Sequence, residues 1–88
     1  MKIKDGFILR KIPGMNLVMP IGDNIKTFNG SLMLNDTGVF IFERLQKGDT
    51  VEEIAEALTQ EYDTSLEIAK KDVQNTIASL LEAGVAEE

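Results

Sequence analysis

Eighty-eight residues without a cysteine or a histidine limit this chain to one modest core, which neither disulfides nor thiolate or imidazole metal ligands can hold together. Fifteen acidic residues against nine basic ones give a net charge of −6, which disfavours nucleic acid over most of the surface. No apolar run approaches the roughly 20 residues of a membrane span, and residues 1–6 lack the apolar run of a signal peptide. We therefore expect a single cytoplasmic domain over residues 1–88.

Charge is divided unevenly along the chain. Residues 1–33 carry five basic and two acidic residues, a net of +3, whereas residues 34–88 carry four basic and thirteen acidic residues, a net of −9. The acidic part is either a solvated surface or a surface that selects a basic partner, and composition leaves both readings open.

Two strands are predicted at the start of the chain. Glycines recur every eight residues, at positions 6, 14, 22, 30 and 38, and separate short apolar runs as turns do between consecutive strands. The runs at residues 7–12 and 15–19 flank Pro13-Gly14, a pair that suits the two central positions of a type II turn. Pro20 lacks an N–H and belongs at a strand end or edge.

A third strand is predicted at residues 31–34, where Leu32 and Leu34 have the spacing of one strand face. Asn29-Gly30 precedes it and is either the turn of a small extra hairpin with residues 25–28 or a bend into one strand. The sequence leaves both possibilities open.

The apolar pattern then changes from strand spacing to helical spacing. Ile41, Phe42 and Leu45 lie three and four apart, which predicts a helix over residues 37–46 that stops before Gly48. Three adjacent polar residues are equally able to cap its first turn: Asn35, Asp36 and Thr37.

Two further helices are each predicted to open with a capping box, Thr50 with Glu53 and Thr64 with Glu67. The last helix should end at Ala83-Gly84, with Val85 packed after the turn and residues 86–88 as a tail. Their buried positions are predicted to be Val51, Ile54, Ala55, Leu58, Tyr62, Ala69, Val73, Ile77, Leu80 and Leu81. Three strands followed by three helices predict an α+β, winged-helix-like fold with a three-stranded antiparallel sheet and a three-helix bundle.

Residues for catalysis are scarce. Without histidine or cysteine the chain has no triad, thiol nucleophile or imidazole metal site, and carboxylates such as Glu52 and Glu56 fall on a solvated helix face. No glycine cluster resembles a phosphate loop. We expect no enzymatic activity, no metal and no cofactor.

Two other functional classes have some support. Asp63-Thr64-Ser65-Leu66 faintly resembles the Asp-Ser-Leu site of acyl carrier proteins, but a threonine interrupts that motif and a helix cap explains it better. A winged-helix DNA-binding transcription regulator would read DNA with the last helix, which carries few positive charges beside its acidic residues.

Recognition by the sheet remains. The strand at residues 31–34 has neither a charge nor a proline to blunt its edge, so its unpaired N–H and C=O groups could template an added peptide strand. The last helix would form the other wall of a groove. The opposing interpretation is that this edge is merely short or covered.

The second half of the chain carries an ordered pattern: Leu34-Asn35-x-Thr37-Gly38-x-x-Ile41-Phe42-x-x-Leu45, Gly48-x-Thr50-x-Glu52-Glu53-Ile54-x-x-x-Leu58, Glu61-Tyr62-Asp63 and Asp72-Val73-x-x-x-Ile77-x-x-Leu80-x-x-x-Gly84. This combination resembles the PqqD family over about residues 7–85. Phe42 departs from it conservatively, since many relatives carry tryptophan there.

The resemblance implies a function in peptide recognition. The family's namesake acts in pyrroloquinoline quinone (PQQ) biosynthesis, as a chaperone that delivers the precursor peptide to a radical S-adenosylmethionine (SAM) enzyme. Related domains are recognition elements for the leader peptides of ribosomally made, post-translationally modified peptides. The expected partners are therefore a precursor peptide and a modifying enzyme such as a radical SAM protein, for a monomer or for a weak dimer through the free strand edge.

By position, the resemblance implies that the leader pairs with the third strand and packs against the third helix, with Val73 and Ile77 at the floor of the groove. The implied peptide-binding residues are Ser31, Leu32, Met33, Leu34, Lys70, Lys71, Val73, Gln74, Asn75, Ile77 and Ala78.

Overall fold

The computed structural model describes residues 1–22 and 32–88, in which a three-stranded antiparallel sheet is followed by three helices. The strands are β1 (Lys2–Ile3), β2 (Phe7–Ile12), β3 (Met15–Pro20), β4 (Leu32–Leu34) and β5 (Ala86–Glu87). The helices are α1 (Asp36–Gln46), α2 (Val51–Glu61) and α3 (Leu66–Glu82). The predicted α+β architecture is confirmed. None of these three helices has the length and apolar character that a membrane span requires.

The hairpin of β2 and β3 forms as predicted. Ile12 pairs with Met15 across the turn, and Gly14 has a φ of +83°, which the second central position of a type II turn demands. Pro20 ends β3, opposite Phe7. The missing N–H therefore falls at the end of the ladder.

The short strand β4 pairs with β3, so that β3 is the central strand in the order β2-β3-β4. Leu32, Met33 and Leu34 lie opposite Val18, Leu17 and Asn16. The predicted first residue of this strand, Ser31, and the segment with Asn29-Gly30 lie outside the described residues.

The caps of the first two helices follow the sequence closely. Asn35 is the cap of α1 among the three candidates, because its side-chain oxygen accepts the Gly38 N–H at 2.8 Å, and α1 therefore begins at Asp36. The capping box of α2 is present, with Thr50 and Glu53 bonding each other's backbone N–H groups.

The predicted capping box of the third helix is wrong by one residue. Ser65, not Thr64, caps α3, and its hydroxyl accepts the Ile68 N–H at 3.2 Å. Thr64 belongs to the turn that leaves α2, where its N–H donates to the Tyr62 carbonyl at 2.9 Å. Helix α3 stops after Glu82, where Ala83 is the C-cap and Gly84 follows with a positive φ, as predicted.

The C-terminal tail was also predicted wrongly. Ala86 is only 4% exposed and pairs with Ile3, so that β1 and β5 form a second, two-stranded antiparallel sheet. Lys4 N–H donates to the Val85 carbonyl at 2.9 Å and extends the connection. Val85 itself is fully buried, as predicted.

Two hydrophobic clusters hold the described elements together. The sheet core lies between the two sheets, α1 and the end of α3, and comprises Ile3, Phe7, Val18, Leu34, Val39, Phe42, Leu80, Val85 and Ala86. The helix core lies among the three helices and comprises Ile41, Ile54, Ala55, Leu58, Ala69 and Val73. Tyr62, predicted to be buried, is 40% exposed and contacts Phe40 edge-to-face. Adjacent residues of α1, Ile41 and Phe42, enter different cores, and this helix therefore couples the sheet to the bundle.

Candidate functional site

The open side of β4 is the first feature of the candidate site. Strand β3 pairs with one side of β4, and within residues 1–22 and 32–88 no strand pairs with the other. Backbone N–H and C=O groups alternate in direction along an antiparallel strand, so some of these groups in β4 point away from β3. These groups form an uncharged edge that a peptide can extend.

A side chain from β3 holds this edge in place. The Asn16 amide donates to the Leu34 carbonyl at 3.1 Å and to an Asp36 carboxylate oxygen at 3.4 Å. Asn16 thus ties the end of β4 and the start of α1 to the central strand. Leu34 is buried in the sheet core, which secures the same point from the inside.

A groove separates the open edge of β4 from α3. Its first part is an open hollow of about 210 Å³, lined by Leu32, Met33, Leu34, Asn35, Gly38, Asn75, Thr76 and Ser79. A second hollow of about 240 Å³ continues it, lined by Asn35, Thr37, Gly38, Asp72, Asn75 and Thr76. The α3 residues in these lists lie three and four apart, and therefore share one helix face.

The groove has a narrow floor where α1 begins beside β4. Gly38 is buried there, and a Cβ on it would lie 3.2 Å from both the Leu34 Cβ and the Asn35 Oδ1. Glycine therefore permits the close approach of α1 to the strand. The α3 wall is made of short polar side chains, of which Thr76 already donates its hydroxyl to the Asp72 carbonyl at 2.9 Å.

The structure brings four of the sequence-predicted residues together: Leu32, Met33 and Leu34 on one wall and Asn75 on the other. Val73 and Ile77 do not line the groove. Val73 is fully buried in the helix core, and Ile77 is partly buried against it. Ser31 lies outside the described residues.

The remaining predicted residues are on other parts of the α3 surface. Each residue turns an α-helix by about 100°, so Lys70 and Gln74 face away from Ser79 and the groove. Lys71 and Ala78 are exposed and flank Asn75 on its outer side, four residues before it and three after it.

Six groove residues were missed by the sequence interpretation: Asn35, Thr37, Gly38, Asp72, Thr76 and Ser79. A signal for the last three exists. The inward-facing stripe of α3 includes Val73, the partly buried Ile77 and Leu80, and Asp72, Thr76 and Ser79 immediately precede these residues along the chain. Within the described residues, no group of three or more carboxylates could hold a metal ion.

The chain is similar to known proteins in sequence family and in fold. Residues 17–86 match the family model described as coenzyme PQQ synthesis protein D (PqqD). Among curated proteins, no sequence matches it. Two solved structures share the fold: TbiB1 in complex with the TbiA(beta) leader peptide, with a TM-score of 0.80, and lasso peptide synthetase B1 complexed with the leader peptide, with a TM-score of 0.82. Each is 23% identical and covers 99% of this chain, and the matches extend over 95% and 96% of those chains.

Proposed function

This chain belongs to the PqqD family, and we propose that it binds the leader segment of a precursor peptide as an added strand on β4 and presents it to a modifying enzyme, without a catalytic step of its own. The observation that carries the proposal is the unblunted edge of β4, which faces a groove walled by α3. Two proteins of this fold form complexes with leader peptides, which supports the same use of the fold here.

Backbone pairing supplies only part of the affinity. Leu32–Leu34 is three residues long, or about 10 Å at 3.3 Å per residue, so it can pair with only a few peptide residues. The alternate side chains of the added strand would enter the groove, where Asn75 and Ser79 offer an amide and a hydroxyl. Recognition would therefore combine a sequence-independent ladder with contacts that select particular side chains.

The residues around this centre have distinct roles in the proposal. Ser31 would lengthen the pairing strand by one residue, while Lys71 and Ala78 would contact the outer side of the peptide. Val73 and Ile77 act from within, because they pack α3 against α1 and α2 in the helix core. We propose that residues 1–88 form a single winged-helix-like domain for this task.

The modifying enzyme is proposed to be a radical SAM protein, and the product PQQ or another modified peptide. The family description supports PQQ chemistry, and the lasso peptide synthetase match supports the wider group of modified peptides. The DNA-binding regulator has weaker support, since α3 places Asp72 beside its two lysines and the whole chain carries −6.

Titration calorimetry tests the proposal with synthetic peptides that span the amino-terminal part of any short open reading frame beside this chain's gene. We expect saturable 1:1 binding that persists at high salt, because salt screens backbone hydrogen bonds and buried apolar contacts only weakly. A duplex from the upstream region of the gene is the comparison. Absence of peptide binding, together with a salt-sensitive gel shift of the duplex, would favour the regulator instead.

A further inference from the structure

The face of the three-stranded sheet that points away from the helices is apolar. The registers place the side chains of three paired rows on it, and four of its residues are at least 40% exposed. We define the outer face by these residues: Ile8, Arg10, Ile12, Met15, Leu17, Met19 and Met33.

This composition is unusual for a surface in water. The solvated face of an antiparallel sheet is normally polar, but Arg10 is the one charged residue of the outer face. Among residues 1–22 and 32–88, no carboxylate lies within ion-pair distance of Arg10. Methionine and arginine are enriched in protein interfaces, and methionine adapts its shape to a partner. The outer face therefore has the composition of a binding surface.

We propose that the outer face docks the modifying enzyme, through a surface of that enzyme that is apolar at its centre and carries a carboxylate opposite Arg10. The inference rests on the proposed function, because it identifies the surface through which the bound peptide is presented. It concerns a different part of the molecule from the groove, and it can fail while peptide binding holds.

The charge of Arg10 favours the modifying enzyme over a second copy of the chain as the partner of the outer face. Two outer faces packed together would confront Arg10 with apolar side chains or with its own counterpart, and leave both guanidinium groups without a carboxylate. A second copy could instead present the exposed side of its α2, which carries Glu52, Glu53 and Glu56. That side of α2 has no apolar centre to cover the sheet. An anionic membrane surface is disfavoured by the net charge of −6.

Strand β4 joins the two sites. Met33 is 63% exposed on the outer face, whereas the backbone edge of the same strand is where the peptide would pair. An open hollow of about 680 Å³ runs from Ile12 and Met15 past Met33 to the start of α1. A strand added to β4 would continue the sheet. Every second side chain of the peptide would then extend the outer face from Met33. An enzyme docked there would contact both the chain and its cargo.

The test measures the dissociation constant between this chain and the purified enzyme that modifies the precursor whose leader it binds, with and without saturating leader peptide. Ile8→Thr/Ile12→Thr removes apolar surface while it keeps strand propensity, and Arg10→Glu reverses the charge. The matched control is Leu66→Thr, which has a similar exposure (43%, against 41% for Ile8) but lies at the start of α3. Circular dichroism verifies that each variant is folded.

We expect both outer-face variants to weaken enzyme binding at least about tenfold, while leader affinity stays within about twofold of wild type. The Leu66 variant should bind enzyme normally. Peptide-loaded wild type should bind enzyme more tightly than the free chain.

Four results would overturn the inference: enzyme binding that is absent in wild type or unchanged in the variants, leader affinity lost in the variants, a wild-type dimer in sedimentation that Arg10→Glu dissolves, or binding to phosphatidylglycerol vesicles that depends on Arg10. Failure of wild type to bind the leader is a different outcome, since it would contradict the proposed function itself.

Discussion

The two edges of the three-stranded sheet differ in charge and in the element that lies beside them. Strand β2 is six residues long and carries Arg10 and Lys11, and Lys11 also reaches Glu43 of α1 at 3.6 Å. Such charges deter the addition of another strand. Strand β4 is short and uncharged, but α3 stands beside it as the second wall of a groove. Under the proposed function, β2 would reject added strands in general, whereas β4 would accept only a strand whose side chains also fit the groove.

The largest effect is expected from blocking the groove at β4. Asn75→Trp places an indole in the hollow of about 210 Å³ between α3 and the strand, and should lower leader affinity about 100-fold, equivalent to about 2.7 kcal/mol. Titration calorimetry measures the change. The matched control is Gln74→Trp, an equally drastic change on the adjacent, outward-facing position, which should bind the leader as wild type does. Equal losses in both variants would show that the groove is not the site.

A smaller effect is expected when the support of β4 is removed. Asn16→Ala deletes the amide that donates to the Leu34 carbonyl, and should lower the free energy of unfolding by about 1 kcal/mol. Because the end of β4 then becomes less ordered, leader affinity should fall about fivefold, the equivalent of about 1 kcal/mol. Urea unfolding and peptide titration of the same sample give both quantities. A stable variant with full affinity would mean that Asn16 does not position the edge.

The smallest effect is expected on the β2 side. The ion pair of Lys11 with Glu43 joins side chains that are 60% and 47% exposed. Water and salt therefore screen most of its contribution to the free energy of unfolding. Lys11→Ala should change the free energy of unfolding by less than about 0.5 kcal/mol and leave leader affinity unchanged. If this variant instead lost peptide binding, the leader would use the opposite edge from the one proposed.

The elements that local chemistry decides were predictable from the sequence. Pro13-Gly14 specifies its turn, and Thr50 with Glu53 specifies the start of α2, because all the atoms involved lie within a few residues. The choice between Thr64 and Ser65 is different, since either hydroxyl can cap a helix. The turn that leaves α2 decides between them, and it is not visible in the spacing.

Non-local features account for the remaining differences. The pairing of Ile3 with Ala86 joins two-residue strands from opposite ends of the chain, which are too short to show any periodicity. Similarly, the family pattern identified α3 as a wall of the groove, but not how the helix is rotated. Burial of Val73 and Leu80 in two different cores sets that rotation, and thereby turns Ser79 rather than Gln74 toward β4.

The most direct test of strand addition leaves the protein untouched and changes the backbone of the peptide. In a paired strand, only alternate residues direct their N–H toward the neighbouring strand. Single N-methyl groups are therefore placed at successive positions of the leader, and each peptide is titrated against the wild-type chain. Strand addition predicts an alternating profile over the few leader residues that pair with β4, where every second N-methyl group lowers affinity at least about tenfold and the intervening ones have little effect. A profile without alternation would contradict strand addition on β4.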